Sequence, residues 1–215
     1  MRFLFLFFIC PSVLFSLTFH DYPILSPLRL EYTKAYAKRH YGLDSYHLID
    51  PKMIVIHYTA IGTLSNSLLA FKAAEASLAR SKLRYFGELN VGCHYVVALD
   101  GAVYSLLPTT VMGRHIVGYN HVSIGIENVA SEATHLRDVQ LDVNIELIRY
   151  LLKKHPTIEY LIGHYEYMMK RYPHFALRRQ LDEGYEAPIK IDPGFVFMRK
   201  LRDRLRQEHQ IVLKK

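Results

Sequence analysis

Tryptophan is absent from this 215-residue chain, and cysteine occurs only twice, at Cys10 and Cys93. If the N-terminal segment is removed, Cys93 stands alone, so no disulfide can staple the fold and apolar packing must hold it. Low-complexity stretches, repeats of solenoid period and a linker rich in glycine and proline are also missing, which excludes repeat arrays and argues against a second domain. What remains is ordinary for a folded protein: 50% hydrophobic residues, 22% charged residues and 16 tyrosines in place of the missing indoles. A chain of this length can bury one sizeable core.

A hydrophobic run long enough to be read with confidence as a membrane span is lacking too. Arg2 followed by Phe3 to Ile9, with further apolar residues to Phe19, has instead the pattern of a secretory signal. The expectation is a signal peptide or N-terminal anchor over residues 1–18, cut after Ser16 or Thr18, and export to the periplasm or cell envelope. Bulky Phe7, Phe8 and Ile9 ahead of Cys10 argue against lipidation. The net charge of +7 is uneven, with Arg199, Lys200, Arg202, Arg204, Arg206, Lys214 and Lys215 near the C-terminus against Asp203 and Glu208. Met198, Leu201 and Leu205 recur at helical spacing, predicting a docked C-terminal helix with its basic face outward. That face is either simply solvated or drawn to an anionic envelope polymer; nucleic acid is not an expected partner, and a monomer is expected.

Residues 19–50 read as an N-terminal helical extension, started by Ser26-Pro27 and closed by Gly42. A strand then ends at His57. A helix is predicted from Thr63 or Ser65 to about Lys82, burying Leu68, Leu69, Phe71 and Leu78. A hairpin turns at Asp100-Gly101. Ser123 to Val129 alternates as a strand with Gly125 and Glu127 on one face, leaving room there for a substrate or metal. A helix from Asp138 to His155 and a strand from Ile158 to Ile162 follow. Roughly 25 residues then separate His164 from Lys190, far more than a plain connection needs, and predict a structured excursion bordering the site. Strands alternating with helices around a hairpin give an α/β fold, a central mixed β-sheet flanked by α-helices in a single domain.

Two histidines, His57 and His164, end apolar runs, and Asp192 sits in a Lys-Ile-Asp-Pro-Gly loop stiffened by its last two residues. Two imidazoles and a carboxylate are a catalytic zinc ligand set that leaves one position for water. Histidines at strand ends are also common as satisfied core residues, so the residues alone leave both readings open.

Five blocks in order carry a resemblance: Ile54 to Ala60, Gly92 to Gly101, Gly118 to Glu127, Gly163-His164, and Lys190 to Gly194. Together they resemble the zinc-dependent N-acetylmuramoyl-L-alanine amidases of type 2, to which small phage amidases and animal peptidoglycan recognition proteins belong. The resemblance implies an amidase domain over residues 51–215 that cleaves the amide between N-acetylmuramic acid and L-alanine in peptidoglycan or muropeptides. It implies one zinc ion on His57, His164 and Asp192, Glu127 as base and Lys190 facing the substrate carbonyl. His115, Cys93 and Asn120 fall where it implies contact with substrate. Cys93 stands where some phage members carry a catalytic tyrosine, and a nucleophilic pair with His94 is ruled out because neighbours on a strand face opposite ways. A non-catalytic muropeptide-binding module on the same fold is the alternative, though it has no need of Glu127.

Overall fold

The computed structural model describes residues 17–215; Cys10 and all but the last two residues of the expected signal segment lie outside them. Eleven regular elements follow in order: β1 (Phe19–Asp21), α1 (Pro27–Tyr41), β2 (Met53–Tyr58), α2 (Leu64–Lys72), α3 (Ser81–Tyr85), β3 (Tyr95–Val97), β4 (Val103–Ser105), β5 (Ser123–Asn128), α4 (Asp138–Lys154), β6 (Tyr160–Gly163) and α5 (Phe195–His209). The strands form one six-stranded sheet in the order β1-β4-β3-β5-β2-β6. Every neighbouring pair is parallel except β3 with β4. The fold is thus the α/β arrangement with a central mixed sheet that the alternation of elements predicts. Among the described residues no helix is long and apolar enough to cross a membrane.

β2 is apolar on both faces because both faces are covered. On one side Ile54, Ile56, Ile124, Ile126 and Leu161 pack against Leu141, Ile145 and Ile148 of α4 and Met198, Leu201 and Leu205 of α5. On the other, Met53, Val55 and Ile162 meet Ile116, Tyr119 and Tyr167. The register pairs Val55 with Gly125 and His57 with Glu127. Because side chains alternate along a strand, those four share the second face.

The segment 19–50 is built into this sheet and core. β1 forms an edge of the sheet beside β4, and α1 buries Tyr36, Ala37 and Tyr41. Its ends are as the sequence predicts: Ser26 Oγ accepts from Arg29 N at 3.1 Å, and Gly42 takes the left-handed conformation that ends the helix. At the opposite edge the last residues run beside β6, with Leu161 N donating to Lys214 O and Lys214 N to Glu159 O, both at 2.9 Å.

The helix expected over 63–82 is instead two pieces, and Leu69 and Leu78 are exposed. Side chains from elsewhere take up the carbonyls at the end of α2. Fully buried Arg29 donates to Phe71 O and Ala73 O, and Asn90 Nδ2 donates to Ala70 O and Ala73 O. The charge expected to face outward on α5 is largely spent on carboxylates: Arg202 on Glu166, Arg204 on Asp142 and Glu208, Arg206 on Asp203, and Lys200 on Asp138.

His94 lies wholly inside. Its Nδ1 accepts from Gly125 N at 3.0 Å while Nε2 stands 3.0 Å from Val111 O and donates to it. Burial outweighs that carbonyl and pushes its pKa down to about 4; burial likewise takes His40 and His121 to about 4. Below an unfolded value of about 6.5 the unfolded chain gains protons that the folded chain refuses, so stability is full above that pH and falls towards pH 4. Urea unfolding of the metal-free protein should show a loss of up to about 1.4 kcal/mol per pH unit per histidine in this window. His94→Gln should lower that slope by about one proton, and an unchanged slope would remove His94 from the account.

Candidate metal and active site

The site lies at the C-terminal ends of parallel strands β5, β2 and β6, where the open edge of such a sheet leaves a crevice. His57 is the penultimate residue of β2, and His164 opens a 3₁₀ turn directly after β6. Asp192 is carried by the loop into α5 and is tied to that turn by Tyr165 N donating to Asp192 O at 3.0 Å. His57 Nδ1 stands 3.0 Å from His164 Nδ1 and 3.2 Å from Asp192 Oδ2, and His164 Nδ1 stands 3.1 Å from the same oxygen. The three side chains are almost wholly enclosed, and their ligand atoms are grouped as a metal ion requires.

Hydrogen bonding alone cannot satisfy this triangle. Two ring nitrogens supply at most two protons for three edges, so one edge would bring together two lone pairs or two N–H groups. Burial opposes ionisation of Asp192, but hydrogen bonds from His164 and His57 outweigh it and hold the carboxyl well below the usual range. Burial and then His57 push His164 down to about 4, keeping its ring a neutral donor of electrons at pH 7.

Glu127 sits beside His57 on the same sheet face, and its Oε2 is enclosed with no hydrogen-bond partner. Burial raises its pKa to about 7; His57 works against the rise and Asp192 adds to it. Lys190 lines a groove of about 850 Å³ that also touches His164 and His115. The excursion after His164 forms one wall of that groove through Gly184 to Pro188, and Tyr185 stacks on Phe86 at 4.2 Å to close it against the end of α3.

The other three expected residues lie differently. Cys93 is fully enclosed in a cluster with Ile24, Leu68, Phe71 and Val96, and burial raises its thiol pKa well above the ordinary value. The expected substrate contact is therefore corrected to a packing role. Asn120 is also buried, and its Oδ1 accepts from His115 N at 3.0 Å and Ile116 N at 2.9 Å. It shapes the loop instead of reaching out. His115 fills the space above Gly125 that the alternation of β5 seemed to leave for a ligand: a Cβ at Gly125 would meet the ring at 2.7 Å. Glu166 and Arg202 have no local signal in the sequence. Glu166 Oε2 accepts from Gly163 N at 2.9 Å and the carboxylate is gripped by Arg202, which holds the turn carrying His164.

Residues 47–185 match the family described as N-acetylmuramoyl-L-alanine amidase. The chain belongs to that family. This amidase-family chain is 31% identical over 99 residues to the endolysin of Escherichia phage T7, a match covering 43% of this chain and 65% of the endolysin's length. Among solved structures it resembles the amidase LysC from Clostridium intestinale, with 22% identity, TM-score 0.47, and 75% and 89% of the two chains covered. It also resembles a human peptidoglycan recognition protein in complex with a glycosamyl muramyl pentapeptide, with 18% identity, TM-score 0.49, and 75% and 85% covered.

Proposed function

We propose that the protein is a zinc-dependent amidase that hydrolyses the bond between N-acetylmuramic acid and L-alanine in peptidoglycan or its fragments. The observation that carries this is the triangle of His57, His164 and Asp192 with an unpartnered Glu127 oxygen enclosed on the same sheet face. Four ligands placed tetrahedrally at zinc distances stand about 3.3–3.4 Å apart, a few tenths of an ångström beyond the edges found here, so the donor set fits that ion. A bound zinc ion polarises an amide carbonyl and makes water acidic enough to attack near pH 7.

The protein's own groups do the rest. Glu127, with a pKa near the working pH, takes the proton of the attacking water and delivers it to the departing L-alanine nitrogen. Lys190, on the groove wall, offers a positive charge to the oxygen of the tetrahedral intermediate. The groove holds the muropeptide, and enclosure of the ligand side chains limits stray water. Removal of residues 1–18 and action as a monomer in the periplasm or cell envelope complete the proposal, since that is where such a substrate lies.

Incubated with purified sacculi, the protein is expected to release peptides with a free L-alanine amino terminus. A chelator should stop this and added zinc restore it. Untouched sacculi in the presence of zinc-loaded protein would replace hydrolysis with binding of muropeptide alone.

A further inference from the structure

Each imidazole offering one nitrogen to a metal must place the proton of its other nitrogen somewhere. With Nδ1 of His57 turned to His164 and Asp192, its Nε2 carries the hydrogen. That atom stands 3.1 Å from His115 Nδ1, and His115 Nε2 stands 3.3 Å from Ser123 Oγ. One assignment fits the row: His57 Nε2–H donates to His115 Nδ1, and His115 Nε2–H donates to the Ser123 hydroxyl. The His115 ring is seated on Gly125, and its loop is pinned by Asn120 Oδ1. Asn120 is fixed in turn from α1: its Nδ2 donates to Tyr36 OH at 3.4 Å and its backbone N donates to Tyr41 OH at 3.3 Å.

We infer that His115, held by Asn120 and the two α1 tyrosines, is a positioning residue that orients His57 for metal. A helix lying before the family-matched residues 47–185 is thereby part of the metal site. The inference rests on the proposed zinc site and deepens it. Toward the ion His115 acts through His57: it fixes the tautomer and tilt of the ring that offers its other nitrogen. Four features of the chain meet on this role: a glycine where a β-branched residue would suit the strand, a serine two residues before it, an asparagine with both ends used, and two buried hydroxyls on one helix.

The test measures zinc affinity of the full-length protein by chelator competition, and the visible spectrum of the cobalt(II) form. His115→Phe fills the space over Gly125 without accepting a hydrogen bond, and should weaken zinc about 10- to 100-fold and shift the cobalt bands. His115→Gln presents an oxygen to His57 and an amide N–H to Ser123, and should regain most of that affinity. The pair Tyr36→Phe with Tyr41→Phe keeps the packing and removes only the hydroxyls, so it should weaken zinc in the same direction by less. Thermal unfolding in chelator checks that each variant folds. Parental zinc affinity and cobalt bands in His115→Phe, or a Gln variant no better than Phe, overturn the inference while leaving the zinc site standing. A parent protein that binds no zinc overturns both.

Discussion

Replacing Glu127 with glutamine is expected to leave zinc bound and reduce turnover about 100- to 10,000-fold, the range by which a positioned general base assists. The substitution keeps the shape of the side chain beside His57 while removing its negative charge and its capacity to take a proton. Its enclosed Oε2 has no hydrogen bond to lose, so the fold has little reason to respond. His164→Ala makes the contrasting case. It deletes one corner of the ligand triangle, and metal and turnover should disappear together. Metal content by emission spectroscopy and kcat on soluble muropeptide separate the two variants. Equal loss of metal in both would make Glu127 a ligand, and a Glu127→Gln enzyme with parental kcat would put the base elsewhere.

Arg202→Met is expected to cost about 3–5 kcal/mol of stability, because it strands a carboxylate that has been taken out of water. Glu166 is 1% exposed, and Arg202 meets both of its oxygens while also donating to Leu161 O at 2.9 Å. Adding Glu166→Gln to that variant removes the stranded charge while an amide oxygen still accepts from Gly163 N. The double variant should therefore recover much of the loss. Urea unfolding of the parent, both single variants and the double variant gives the coupling directly. A single-variant cost below about 1 kcal/mol would show that water reaches the pair and screens it as it does at a surface.

The parts of the site visible in the sequence are those whose reason for being there is local. His57 and His164 end apolar runs that could only be buried strands, and Asp192 sits in a loop with no packing purpose. Glu127 is the one acidic residue of its strand. The parts hidden from the sequence depend on partners distant along the chain. Gly125 marks a place where the strand makes room, but the occupant comes from a loop ten residues earlier, and nothing in β5 names it. Helical spacing carried the segment after Thr63 too far because Arg29, 44 residues before Ala73, claims the carbonyls at which α2 stops. The register and order of the strands lie out of reach for the same reason, yet the mixed sheet itself follows from strands alternating with helices around a hairpin.

The strip formed by the last residues alongside β6 bears on how the protein behaves in a crowd. Tyr160, Leu161 and Ile162 form a short, apolar outer strand, and such a strand with bare amides invites a second molecule to zip onto it. Here Lys214 O already takes the Leu161 amide and Lys214 N the Glu159 carbonyl, and its ammonium pairs with Glu159, so a molecule arriving edge-on meets a backbone bridge and a salt bridge. At this edge the chain thus supplies its own guard against a second molecule pairing there.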